Sequence, residues 1–258
     1  MRALRAACAV AAAYELPCED AVALGGGSNV LVHLKPSPVV ARVMTATAVL
    51  HDDMETWLAR ELAVGRFLGE RGLAVSPTSL LPPGPHERDG LWMTFWDYVA
   101  HERSVPGASE LGESLRRLHA ALAEFTGELD PLLTIRDWLS RLLGEMEPAP
   151  SLRARLDELT PLVFDSPRPA QALHGDAGIG NLLRTGDGLL WNDLEDVCRG
   201  PVEWDVAGVV ESARARGQSE AYVEEMLDAY GGPPLDELSD FIAAHELYAT
   251  IWRSRRAT

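Results

Sequence analysis

His174-Gly175-Asp176-Ala177-Gly178-Ile179-Gly180-Asn181 is followed, twelve residues after Asn181, by Asp193 in Leu189-Leu190-Trp191-Asn192-Asp193. Apolar runs lead into both segments, Ala172-Leu173 before the first and Leu189-Leu190-Trp191 before the second. Between them, Leu182-Leu183-Arg184 and Leu189-Leu190-Trp191 flank Thr185-Gly186-Asp187-Gly188, the turn composition of a tight β-hairpin. With Gly186-Asp187 at the turn centre, Leu182 faces Trp191 and Asn181 falls opposite Asn192, beside Asp193. The hairpin is thus expected to gather Asp176, Asn181 and Asp193 at one end. Two carboxylates and a carboxamide so placed suit a divalent cation and the activation of a hydroxyl for phosphoryl transfer.

The 258 residues can bury a sizeable core in one or two domains. A formal net charge of −16 repels nucleic-acid backbones and anionic membranes and attracts cations. It argues against nucleic-acid or membrane partners and fits a cationic small substrate, as well as a plain acidic surface that keeps the chain soluble. Cys8, Cys18 and Cys198 are too few and scattered for a disulfide scaffold or a thiolate metal site, so a reducing cytoplasm is the expected location. Residues 1–13 are rich in alanine, but Arg5 interrupts them and no Leu/Val/Ile core follows. No stretch reaches the roughly 18 apolar residues of a membrane span.

Residues 1–20 read as an amphipathic helix and a loop at Pro17. Val22 to Leu34 and Val39 to Val43 read as strands, with turns at Gly25-Gly26-Gly27 and Pro36-Ser37-Pro38. A helix is predicted from Asp52 or Asp53 to about Gly72, with Trp57, Leu58, Leu62, Gly65 and Leu68 on one stripe. Residues 78–90, containing Pro82-Pro83-Gly84-Pro85, are expected to be an exposed loop, and Leu91 to Val99 a last strand. Leu111, Leu115, Leu118 and Leu122 then set a helical period, and further helices are expected over 135–146, 152–162, 204–214, 219–229 and 235–252. The reading is an α+β, bilobal fold: a strand-rich N-lobe over 1–99 and a larger, mainly helical C-lobe over 100–258.

Asp176 is the candidate catalytic base, placed to orient an acceptor hydroxyl and take its proton. Asn181 and Asp193 are the candidate Mg²⁺ ligands. Gly25-Gly26-Gly27-Ser28-Asn29 lies between strand-like runs, where backbone N–H groups can approach phosphate. Without the GK[ST] ending it is not a P-loop, and three glycines between strands also describe a flexible hairpin. Arg42 sits among apolar residues and needs a partner; Glu61, on the same helical stripe as Trp57, Gly65 and Leu68, is the obvious one. So paired, Arg42 can hold phosphate oxygens. The competing arrangement has Arg42 pointing outward from an edge strand and Glu61 only bordering the core.

These residues resemble the aminoglycoside phosphotransferase and choline kinase-like family, which shares the protein-kinase-like fold. The resemblance rests on His174-Gly175-Asp176…Asn181, on Asp193, on Arg199-Gly200-Pro201…Trp204-Asp205-Val206-Ala207, and on the Leu118-His119 pair. It spans residues 22 to about 210. It implies Asp176 as the catalytic Asp, Asn181 and Asp193 as metal ligands, and Arg42 and Glu61 as the basic residue of a strand and its helix acid. It also implies that Phe95-Trp96-Asp97-Tyr98-Val99 is the hinge whose backbone meets the purine, and that Asp205 is a buried acid steadying the catalytic loop. The donor would be ATP or GTP with Mg²⁺, and the acceptor a small-molecule hydroxyl. Arg42 departs from the lysine of well-studied members, which alters phosphate geometry while keeping the charge.

Glu195, Asp196, Glu203, Asp240, His245 and Glu246, with Tyr248 and Trp252, are candidates for the acceptor side. The acids could hold an ammonium group and Tyr248 or Trp252 a ring or cation, Trp252 equally suiting a helical core. An aminoglycoside or another antibiotic, choline-like amines, homoserine and a sugar stay open, with the net charge favouring a cationic amino-sugar; antibiotic resistance and metabolism both stay open as the role. A protein kinase would want a longer segment before Arg199-Gly200-Pro201. A non-catalytic nucleotide-binding protein is the third class, favoured only by Arg42.

Overall fold

The computed structural model describes residues 1–26, 29–48, 51–102, 104–146 and 149–255. Two compact units emerge: Met1–Glu102 with Thr185–Glu195, and Arg103–Arg184 with Asp196–Thr258. The first is strand-rich and the second mainly helical, the bilobal α+β arrangement of protein-kinase-like folds. Asp193 and its flanking residues therefore count with the first unit, although they follow most of the helical one in sequence.

In the first unit, five antiparallel strands run in the order β1-β2-β3-β5-β4: β1 Val22–Gly26, β2 Val30–His33, β3 Val39–Val43, β5 Leu91–Asp97 and β4 His86–Arg88. Side chains alternate across a strand. Val39, Ala41 and Val43 join Val32, Leu34, Met93 and Phe95 in a core closed by helix α1 (Arg2–Ala13). That helix buries Ala3, Ala6, Ala7 and Ala11, small side chains that let its backbone lie close to the sheet. Arg42 takes the opposite parity and pairs in register with Leu31 of β2 and Thr94 of β5. Its strand is interior, which rules out the edge-strand alternative.

Helix α2 (Met54–Gly69) begins at Asp53, whose carboxylate accepts from Thr56 N at 3.0 Å. A Cβ on Gly65 would fall 2.6 Å from the Trp96 ring, so glycine brings the helix down onto β5. Residues 78–90 are not simply an exposed loop. They contain β4, bury Thr78 and Leu81, and run beside β5 through Thr78 N to Phe95 O (3.1 Å) and Phe95 N to Pro83 O (2.8 Å). Proline donates nothing, but its carbonyl still accepts.

The second unit contains α3 (Ala108–Leu122), α4 (Leu133–Glu145), α5 (Pro150–Leu159), α6 (Glu203–Ala215), α7 (Glu220–Tyr230) and α8 (Ser239–Arg255). Leu111, Leu115, Leu118 and Leu122 are all fully buried, as their spacing predicts. Helix α3 meets α7 at Gly112, where a Cβ would lie 2.2 Å from Met226 O. Short β6 (Gln171–Leu173) pairs with β9 (Cys198–Gly200), and β7 (Leu182–Thr185) with β8 (Gly188–Trp191) forms the expected hairpin. Among the described residues no helix is long and apolar enough to cross a membrane.

Candidate active site

The loop carrying Asp176 is fixed from beneath by Asp205, a fully buried acid in the first turn of α6. Its Oδ2 accepts from His174 N at 2.8 Å and its Oδ1 from Gly175 N at 2.9 Å. Oδ2 also meets His119 Nε2 at 3.1 Å, so Nε2 carries the proton and Nδ1 accepts from the Tyr230 hydroxyl at 2.7 Å. Burial alone would raise the Asp205 carboxyl, but the hydrogen bonds from His119 and the backbone donors outweigh it, leaving it below the usual range. Burial also raises the Tyr230 phenol, which stays a donor. From the other side, Trp204 Nε1 donates to Gly175 O at 2.6 Å. Gly175 has φ +87°, and a Cβ there would lie 1.8 Å from Asp196 O, so no other residue fits.

Asn181 closes the loop. It ends a 3₁₀ turn (Ile179–Asn181) whose first N–H donates to Ser212 Oγ at 3.0 Å. Its Nδ2 donates to Asp176 O at 2.8 Å and to Asp176 Oδ2 at 3.0 Å. The amide is thereby oriented, with the carbonyl Oδ1 as its remaining acceptor end. Asp176, the candidate base, and Asn181, a candidate metal ligand, thus sit side by side.

The second group lies in the first unit. Arg42 Nη1 pairs with Glu61 Oε1, while Nη2 meets Asp193 Oδ1 at 2.6 Å and Glu195 Oε2 at 2.5 Å. Arg42 is 5% exposed and Glu61 1%, so the pairing inferred from sequence is present and buried. Asp193 has φ +64°, in the left-handed region that Asp tolerates better than most residues. When all three acids are ionised, one guanidinium leaves two negative charges uncompensated. Burial pushes Glu61 up to about 7 against the pull of Arg42, with Glu195 and Asp193 adding repulsion. Glu195 rises to about 7 from the same burial.

Glu195 was expected on the acceptor side; instead it is the hub of this group. Besides Arg42, its Oε2 accepts from Asn29 Nδ2 at 2.8 Å and Thr47 Oγ1 at 3.3 Å, and its backbone carbonyl from Trp57 Nε1 at 2.7 Å. Asn29 Oδ1 accepts from Thr45 N at 2.9 Å and Thr47 Oγ1 at 3.0 Å. The Asn29 side chain therefore anchors the chain just ahead of β2. Gly25 and Gly26 end β1, while Gly27 and Ser28 lie outside the described residues. The signal for Glu195 was its two-residue spacing from Asp193, in a segment whose backbone course sequence could not supply. Asp196, also expected at the acceptor, is buried and meets the Tyr248 hydroxyl at 3.4 Å, and Glu203 is held by Arg168 at 2.5 Å.

Of the residues expected at the hinge, Trp96 donates from Nε1 to Thr94 Oγ1 at 2.8 Å. Asp97 N donates to Ser76 O and Tyr98 N to Pro38 O, both at 2.9 Å, and the Tyr98 ring stacks on His33 with centroids 3.8 Å apart. Val99 O accepts from His101 Nδ1 at 2.9 Å. A cavity of about 790 Å³ near the end of α2 is lined by Arg66, Glu70, Ser76, Thr78, Leu81 and Asp97; Arg42, Glu61 and Asp193 form no part of its wall.

Among the described residues no three His, Cys, Asp or Glu side chains form a ready metal cage. The donors in question are a carboxamide oxygen and a carboxylate, hard oxygen ligands of the kind Mg²⁺ takes in small number alongside water and phosphate. They fit that ion.

Fold, Asp205-braced loop and buried Arg–Glu pair together define the class: a protein-kinase-like phosphotransferase. The sequence profile of the phosphotransferase enzyme family matches residues 22–241, and the chain belongs to that family. Among solved structures it is similar to an aminoglycoside phosphotransferase from Streptomyces rimosus, with TM-score 0.70, 15% identity and 95% and 98% of the two chains covered. It also resembles an amicoumacin kinase solved with AMP-PNP, Ca²⁺ and amicoumacin (TM-score 0.71, 13% identity, 91% of this chain and 80% of that one). A choline kinase from Streptococcus pneumoniae matches with TM-score 0.65 at 16% identity over 91% of this chain and 84% of its own. At such identities these likenesses speak for the fold.

Proposed function

We propose that this chain transfers the γ-phosphoryl group of ATP or GTP, with Mg²⁺, to a hydroxyl of a small molecule carrying positive charge, an amino-sugar antibiotic being the favoured class. The observation that carries the reading is the Asp176–Asn181 pair, held on a loop that Asp205 and Trp204 brace from two sides. Asp176 orients the acceptor hydroxyl and takes its proton as the new P–O bond forms. Asn181 Oδ1 and Asp193 would hold the metal, which when bound neutralises charge on the phosphates. Arg42, kept in place by Glu61, supplies a planar cation to the phosphate oxygens. The segment Gly25 to Asn29 covers the phosphates. Trp96 to Val99 form the hinge; the N–H groups of Asp97 and Tyr98 are spent internally, so Val99 is the hinge residue we assign to the purine.

The net charge of −16 supports a cationic acceptor. Glu195, Asp196 and Glu203 do not, since each is engaged within its own unit; exposed Asp240 and Glu246 on α8 are the acids left for that role. A screen settles the class: purified protein with ATP or GTP and Mg²⁺ is offered aminoglycosides, peptide and nucleoside antibiotics, choline, homoserine and neutral sugars. Mass spectrometry should find a phosphoryl group added to a cationic amino-sugar. Phosphorylation confined to neutral sugars or homoserine would overturn the acceptor assignment.

A further inference from the structure

Cys8 and Cys18, dismissed as scattered in sequence, face each other in the fold. Cys8 lies on α1, which ends at Ala13. The chain then reverses: Tyr14 N and Leu16 N both donate to Ala11 O at 3.0 Å, and Glu15 adopts φ +58°. Cys18 returns beside the helix. Its Sγ lies 3.9 Å from Cys8 O, and Cys8 Sγ lies 4.0 Å from Cys18 O. Both side chains are half-buried against the same cluster of Ala6, Ala7, Val32 and Leu34.

The returning segment is itself pinned. Ser37 Oγ donates to Pro17 O at 2.6 Å, Asp20 N to Lys35 O at 3.1 Å and Ala21 N to Cys18 O at 3.2 Å. Each thiol thus lies against the other cysteine's carbonyl, which sets the two side chains next to each other on a pinned segment. No part of the phosphotransferase reading uses them.

We infer that Cys8 and Cys18 form a paired-thiol modification site that closes to an intramolecular disulfide by exchange with a low-molecular-weight disulfide. One thiolate attacks the small disulfide, forming a mixed disulfide and releasing one small thiolate. The second cysteine thiolate then attacks the protein sulfur of that intermediate and expels the other. Two electrons pass to the small disulfide, and the two protein protons end on the two small thiols released. Burial, with Cys18 beside it, pushes the Cys8 thiol up to about 11, so attack through Cys8 is slow near neutrality and closure speeds up as pH rises. The bond would tie α1 to the approach to β1, closing a short loop in the unfolded chain.

The test incubates the full chain with oxidised glutathione at about pH 8.5, where thiolate is more abundant, then alkylates it after denaturation. The expected product has lost the mass of two hydrogens, yields a Cys8–Cys18 linked peptide and retains one alkylatable thiol, Cys198. Its Tm should exceed that of the reduced protein by roughly 5 °C or more. Cys8→Ser and Cys18→Ser should each carry a glutathione adduct on the remaining partner and show no such rise. Stable glutathione adducts on the parent without a cross-link, cross-links only between chains, or three alkylatable thiols would each overturn the proposal.

Discussion

Replacing Asp205 by Asn removes the charge of the loop's brace while keeping its size. In the parent, one oxygen serves Gly175 N, and the other serves both His174 N and His119 Nε2. Asn offers a single acceptor oxygen. If it stays on Gly175, the amide NH₂ faces His174 N–H donor to donor; His119 can change tautomer to accept from it, but the backbone N–H cannot. At least one buried donor is stranded, costing about 1–3 kcal/mol, and the charge-assisted bonds that remain are weakened. We therefore expect a loss of about 2–4 kcal/mol, a large share of a typical 5–15 kcal/mol. Urea unfolding of Asp205→Asn beside the parent measures it, at unchanged m-value. Activity should fall about a hundredfold, because Asp176 sits one residue beyond Gly175 and a displacement near 1 Å has that effect. A variant within about 0.5 kcal/mol of the parent, with kcat unchanged, would refute the bracing role.

His245 gives a pH prediction. Burial holds its imidazole down at about 4 against 6.5, despite Nε2 donating to Trp204 O at 2.9 Å. The unfolded chain binds the proton first, so stability is complete above pH 6.5 and declines as pH falls to about 4, by about 3 kcal/mol. The urea midpoint followed over that range checks it, and His245→Gln should flatten the profile. Gly112→Ala places a methyl 2.2 Å from Met226 O; backbone cannot yield as a side chain can, and a loss of about 1–3 kcal/mol should appear as a lower Tm. Arg42→Ala leaves three acids around an empty centre; kcat/KM for nucleotide should drop by roughly a hundredfold or more, and Arg42→Lys, with no planar fork, should recover only part of it.

Much of the scaffold was legible because burial follows period. The leucine stripe of α3, the alternation in β3 and the Asp53 cap all left local marks. The Arg42–Glu61 pair was legible for a different reason: two charges at apolar-stripe positions must find each other. The position of Glu195 was not. Its role depends on the left-handed turn at Asp193 and on Asn29 and Thr47, more than a hundred residues upstream. Cys8 and Cys18 escaped for a similar reason, since a reversal at Glu15 brings together residues that spacing alone keeps apart. The strand over His86–Arg88 hid behind prolines, which mark turns but leave carbonyls able to pair.

Single-turnover transfer by Asp176→Asn, run with the best acceptor and paired with calorimetric titration of Mg²⁺–nucleotide, probes the chemistry at its centre. If the Asp176 carboxylate receives the acceptor's proton, phosphate transfer collapses by about a thousandfold or more while nucleotide affinity stays within a few-fold of the parent. Near-parental transfer rates in that variant would contradict the account.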